Sequence, residues 1–181
     1  LAPRQMVSFR MAEAGNPLLV SGETLYFDLP YLAGGIDFFG PEAWLRIGSW
    51  DVVKTGLFTV AYARWAGPQT PVVWTEVGMS LLMGTGDTVP TPEQAEAQAK
   101  YYRDIYRMLI ASGSDGVFWW WYPGGLRYDE NSDYGIVNPD GSDRPVTDVI
   151  RRNARAFTDS PRNGPPDAWI EFDRDAHVNG L

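Results

Sequence analysis

The chain has 181 residues, 44% of them hydrophobic, with eight Trp, nine Tyr and eight Phe, which is enough apolar surface for the core of one domain or a large part of one. Fifteen Lys and Arg against 23 Asp and Glu give a formal net charge of −8, a balance that argues against a nucleic-acid partner. The absence of cysteine excludes a disulfide framework, a thiolate nucleophile and a cysteine-type zinc site.

In chain order, "MVSFRM" (Met6 to Met11) alternates apolar residues, and "GGIDFFG" (Gly34 to Gly40) is a short apolar run bounded by glycines. Both predict buried strands. From Ser49 to Gly67 the spacing of Val53, Leu57, Val60 and Ala61 predicts a helix, stopped by Gly67 and Pro68. "PVVWTE" (Pro71 to Glu76) predicts a third strand. Thr91 to Gly113 carries the strongest helix signals: Thr91 as N-cap, Pro92 at the first position, Gln94 closing a capping box and Gly113 as the stop. Its expected apolar face is Ala95, Tyr102, Ile105 or Tyr106, and Leu109. "GVFWWWY" (Gly116 to Tyr122) predicts a fourth strand, and Arg144 to Phe157 a further helix carrying Val146, Val149, Ile150 and Phe157. Strands separated by helices of this length imply βα units and a parallel α/β sheet. After Phe157 the composition turns to Pro, Gly and polar residues. Residues 1–157 therefore read as one unit, 158–167 as a linker, and 168–181, with "AWIEFD", as the beginning of a β-rich accessory module. No apolar run approaches the ~20 residues that span a bilayer, so no membrane partner is expected. "LAPRQMVSFR" has no charged leader followed by an apolar stretch, which leaves the address unread, with a secreted or periplasmic bacterial setting as the expectation.

In parallel βα folds, ligands gather at the carboxyl ends of strands. "TPVVWTEVGMS" places Glu76 at the expected end of an apolar strand, where burial makes a charge costly unless function uses it. The next strand runs into "WWWYPGG", more aromatic surface than such a core requires. Flat indoles stack on the C–H faces of sugars, while carboxylates and guanidinium groups take hydroxyls. Strand alternation puts Trp119 and Trp121 on one face and Trp120 on the other, in the core. Other motifs carry less. "RYDENSD" (Arg127 to Asp133) lacks the spacing of a calcium loop and reads as a solvated substrate-binding loop. "GTGDT" lacks the third glycine of a dinucleotide fingerprint and the lysine of a phosphate loop. The single histidine, His177, builds no metal site, so neither a metal nor a cofactor is expected.

Taken together, "VVWTEVG", the helix after it and "GVFWWWYPGGLRYDENSDYGIVNPDGSDRPV" resemble the last two βα units of the retaining (β/α)8-barrel glycoside hydrolases, the clan of cellulases, mannanases and β-galactosidases. The resemblance implies a TIM barrel of which this chain supplies four βα units, strands five to eight, with "VSFRMAEAGNP" as strand five and "IDFFGPEAW" as strand six. It implies that Glu76 is the nucleophile and that Trp119 or Trp121 forms the platform under the sugar. Trp44 stands where many members of the clan carry a Tyr that hydrogen-bonds the nucleophile. Trp44, Arg10, Glu13, Glu42 and Arg127 are candidate substrate-binding residues, although Arg10 also suits an ion pair and salt bridging in loops is the first reading of Glu13 and Glu42. The clan's acid/base lies in an Asn-Glu pair on strand four, and this sequence contains no Asn-Glu dipeptide. Since a whole barrel takes ~250 residues, the expected partners are a carbohydrate substrate and an N-terminal half that supplies the acid. The rival reading is a noncatalytic, carbohydrate-binding half-barrel.

Overall fold

A computed structural model describes residues 6–10, 36–46, 52–82 and 86–161 of the chain. Four strands, β1 (Met6–Arg10), β2 (Phe38–Arg46), β3 (Val73–Ser80) and β4 (Gly116–Trp119), form one parallel sheet in the order β1-β2-β3-β4. Three helices follow β2, β3 and β4: α1 (Val52–Ala66), α2 (Pro92–Ser112) and α3 (Pro145–Asp159). Sequential strand order without a reversal is the winding of a barrel wall, whereas a doubly wound sheet reverses direction at its switch point.

The helices pack on one face of the sheet through a single core. Phe39 and Ala43 of β2, Val72 just before β3, and Trp74, Val77 and Met79 of β3 meet Tyr102, Ile105, Met108 and Leu109 of α2 and Val146, Val149 and Phe157 of α3. α2 begins and ends as its sequence demands. Thr91 accepts from Gln94 N–H while the Gln94 side chain accepts from Thr91 N–H, and Gly113 closes the helix in the left-handed conformation at φ 64°. Both Ile105 and Tyr106 are buried, so the apolar face is broader than expected and Ala95 lies at its margin. At the amino-terminal end of the strands, Asp115 accepts from Val72 N–H and from Arg64, and Arg64 also donates to the Thr70 and Gly113 carbonyls. That clamp ties the loop before β3 to the loop before β4.

Three strands have boundaries that differ from the sequence reading. β2 starts at Phe38 and continues through "GPEAWLR", because Glu42 to Arg46 go on pairing with Glu76 to Ser80. For the same reason β3 runs four residues beyond Glu76. β4 is shorter, ending at Trp119 where its pairing with β3 stops. α3 extends to Asp159, two residues past the expected linker boundary. Glu13, His177 and the module expected from residue 168 lie outside the described residues. Among the described residues no helix is long and apolar enough to cross a membrane.

Candidate active site

One extra residue in β3 decides where Glu76 points. Phe39 bridges Val72, yet Glu42, three positions after Phe39, pairs with Glu76, four positions after Val72. The other neighbour records the same irregularity, with Trp74 opposite Val117 but Val77 opposite Trp119. This is a β-bulge between Trp74 and Val77, a device that re-aims side chains. In unbroken alternation Glu76 would share the face of Trp74, inside the helix layer. With the bulge, Trp74 and Val77 both turn to the helices and are fully buried, while Thr75 and Glu76 are both only partly buried. Trp74 is fixed by an indole N–H donated to Ser114 Oγ at 3.1 Å. Glu76 therefore leaves the helix layer for the opposite face of the sheet.

The register sets three charged residues side by side. Arg10 pairs with Glu42, and Glu42 pairs with Glu76, so cation, carboxylate and carboxylate occupy one row across β1, β2 and β3. Glu42 is thus within its strand rather than after it, and Glu76 is in mid-strand rather than at the end. Adjacent strand backbones lie about 4.8 Å apart, which brings the two glutamates to neighbouring positions. Both are half-buried. Trp44 holds the register position opposite Gly78, two residues beyond Glu76.

The three tryptophans divide differently from the expectation. Trp119 is taken by the helix layer, its ring 4.6 Å from that of Tyr102 and 5.2 Å from that of Tyr106. This packing removes Trp119 from the face that carries Glu76. Burial pushes the phenol pKa values of Tyr102 and Tyr106 up, as expected for an apolar setting. Trp120, assigned to the core by alternation, instead stands beside Trp121, with ring centroids 4.9 Å apart and planes at 55°. The physical reason is that β4 ends at Trp119, and alternation does not extend past the strand. The Arg127 guanidinium lies 5.3 Å from each ring and pairs with Glu130 at 2.8 Å. Its Nη1 is buried without a hydrogen bond, a cost the two indole faces offset.

This aromatic corner sits against β3 because of a glycine. A Cβ at position 78 would fall 1.9 Å from the Trp120 carbonyl oxygen, so only glycine admits that backbone. Trp120 N–H donates to Val77 O at 2.8 Å, holding the same crossing from the other side. The segment after Arg127 then returns to β3. Leu81 N–H donates to Asp133 O and Asp133 N–H to Ser80 Oγ. Asp133 is buried and accepts from Arg144 Nη1 and Nη2 and from the Gly125 and Gly135 amides, so each carboxylate oxygen has two donors. The "RYDENSD" stretch therefore anchors the fold at Asp133 and is exposed at Tyr128 and Asp129, a mixed role rather than a wholly solvated loop. Among the described residues no cluster of His, Cys, Asp or Glu suits a metal ion.

No protein-family description and no curated protein sequence matches the chain. Solved structures do. The structure is similar to CbXyn10B in its native form (TM-score 0.57, 18% identity, 81% of this chain and 48% of that one). It is also similar to a GH10 structure from Paenibacillus barcinonensis (0.55, 19%, 75% and 41%) and to the Penicillium canescens endo-1,4-beta-xylanase XylE (0.54, 20%, 71% and 38%). The chain thus has the fold of part of these (β/α)-barrel glycoside hydrolases, as the sequence resemblance implied, and spans less than half the length of each.

Proposed function

We propose that this chain forms the nucleophile-bearing half of a retaining β-glycosidase barrel acting on a β-1,4-linked xylan-type polysaccharide. The observation that carries the reading is the bulge in β3, which turns Glu76 out of the core and into register with Glu42, on the strand that the Trp120 backbone crosses at Val77 and Gly78. Double displacement requires a carboxylate that attacks the anomeric carbon and a second carboxyl group about 5–5.5 Å away that protonates the leaving oxygen. Glu76 takes the first role, on a rigid mid-strand position. Glu42, one strand away, binds a sugar hydroxyl in the same subsite, and Trp121, 39% exposed, offers its face to a pyranose ring. The acid comes from the other half of the barrel. Phe118 supports such a partner: its neighbours Val117 and Trp119 pack on the helix-side core, while Phe118, 65% exposed, faces away from it. The N-terminal half would cover that face and pair with β4, removing an open edge. The choice of xylan rests on the names of the structural neighbours.

Glu76→Gln in the complete protein keeps the fold and lowers turnover of β-1,4-xylan by several orders of magnitude, since the covalent step has lost its nucleophile. Turnover within tenfold of the wild type would overturn the assignment. The other reading is a noncatalytic carbohydrate-binding half-barrel. Xylo-oligosaccharide binding without any turnover by the complete protein would establish it.

A further inference from the structure

Gln98 interrupts the apolar stripe of α2 at the position one turn before Tyr102, and it is fully buried. A polar side chain there needs a partner, and its Nε2 has three. It lies 3.2 Å from Met79 O, 3.2 Å from Gly135 O and 3.4 Å from Tyr134 O. The three carbonyls fix the orientation of the amide, since the flipped group would set oxygen against oxygen. Gln98 Oε1 is buried and makes no hydrogen bond. Keeping an amide whose acceptor is unsatisfied is costly, which raises the question of what its donor side achieves.

The three carbonyls belong to two segments that carry the candidate site. Met79 is in β3, three residues after Glu76. Tyr134 O accepts from Trp121 N–H, and Ile136 N–H donates back to Trp121 O at 3.1 Å, so Trp121 is held between Tyr134 and Ile136. Gln98 thus joins the strand of the carboxylate to the segment that grips the indole. We propose that Gln98 is the positioning residue of the sugar site, fixing Trp121 relative to Glu76 through the Met79, Tyr134 and Gly135 carbonyls. It touches no substrate. Its effect is transmitted through the backbone, and it rests on the carbohydrate reading above. The Asp133–Arg144 pair anchors the same segment, with Arg144 also donating to Gly135 O, so losing Gln98 loosens the segment without releasing it.

The test compares the wild type, Gln98→Met and Trp121→Ala in the full chain, by hydrogen exchange and by xylohexaose titration. Methionine keeps the volume and removes the donors. In Gln98→Met the amides of Leu81, Trp121 and Ile136 should lose protection by about tenfold or more while mid-α2 amides keep theirs, and xylohexaose affinity should fall by about tenfold, because misplacement of about 1 Å is expensive at a site. Trp121→Ala should lose affinity with Leu81 still protected. The proposal is overturned if Gln98→Met keeps its affinity while Trp121→Ala loses it, or if the three amides stay protected. If Trp121→Ala binds as tightly as the wild type, or the wild type does not bind, the carbohydrate reading fails and the positioning role fails with it. Should Gln98→Met not fold, Gln98→Asn, with the same amide on a stem one methylene shorter, carries the same comparison.

Discussion

Replacing Gly78 by alanine adds one methyl group at the point where β3 and the chain after β4 cross. Its ideal Cβ lies 1.9 Å from the Trp120 carbonyl oxygen, 3.0 Å from the Trp120 carbonyl carbon and 3.0 Å from Tyr134 Cδ1. Since real Cβ contacts essentially never fall below 3.0 Å, the carbonyl must retreat by at least the remaining 1.1 Å. It cannot do so freely, because Trp120 N–H is bonded to Val77 O and Trp121 N–H to Tyr134 O, and Tyr134 is itself buried. Overpacking of this kind costs about 1–3 kcal/mol, and a shift of about 1 Å in the aromatic corner should reduce activity by roughly a hundredfold. Urea unfolding gives the first number and kcat/KM on xylan, together with xylohexaose affinity, the second. The expected signature is a modest stability loss with a disproportionate loss of sugar binding. A variant that keeps wild-type affinity would show that Trp120 and Trp121 do not form a sugar surface set by this crossing.

Asp133→Ala leaves Arg144, 4% exposed, as a buried charge with Gly135 O and Asn138 Oδ1 as its side-chain partners among the described residues, and should cost about 3–5 kcal/mol in chemical denaturation. Adding Arg144→Met to it should recover part of that loss; a loss below about 1 kcal/mol for the single variant would contradict the anchor. Burial raises the phenol pKa values of Tyr101 and Tyr102 above the ordinary 10.0, so the unfolded chain releases their protons first. Stability should be full below pH 10 and fall above it by up to about 1.4 kcal/mol per pH unit for each tyrosine, and a flat unfolding midpoint from pH 9 to 11 would exclude this. Trp119→Ala should destabilise by about 3 kcal/mol through lost packing on Tyr102 and Tyr106, whereas Trp121→Ala should cost under about 1 kcal/mol and weaken oligosaccharide binding. Equal stability losses would return both residues to one core cluster.

The βα order, the parallel sheet and the limits of α2 were legible because they depend on local signals: periodicity, the Thr91 and Gln94 capping box and the Gly113 stop. The position of Glu76 as an unusual carboxylate was legible for the same reason. Its face was not. Alternation from Trp74 would bury it among the helices, and the bulge that reverses this is fixed by pairing with both neighbouring strands, which no single segment encodes. Alternation also failed for the tryptophans, because it holds only while a strand lasts and β4 stops at Trp119. The pairing of Glu42 with Glu76 is a long-range register that spacing along the chain does not reveal. Gln98 did leave a mark in the sequence, as an amide in line with Tyr102, Ile105 and Leu109 on the apolar face of a helix. The Asp133–Arg144 pair left none that separates it from the other acidic and basic residues around it.

The central claim is that Glu76 attacks the sugar, and trapping the ester it forms addresses this most directly. A dinitrophenyl 2-fluoro-xylobioside has a leaving group that departs without acid assistance, while the fluorine slows hydrolysis of the glycosyl ester, so the covalent intermediate accumulates. Incubated with the complete protein and digested for mass spectrometry, it should add one fluoroxylobiosyl group to the peptide containing Glu76, with fragmentation placing it on that side chain. The adduct should be absent from Glu76→Gln. A label on Glu42, or full xylan turnover with no covalent adduct, would contradict the account.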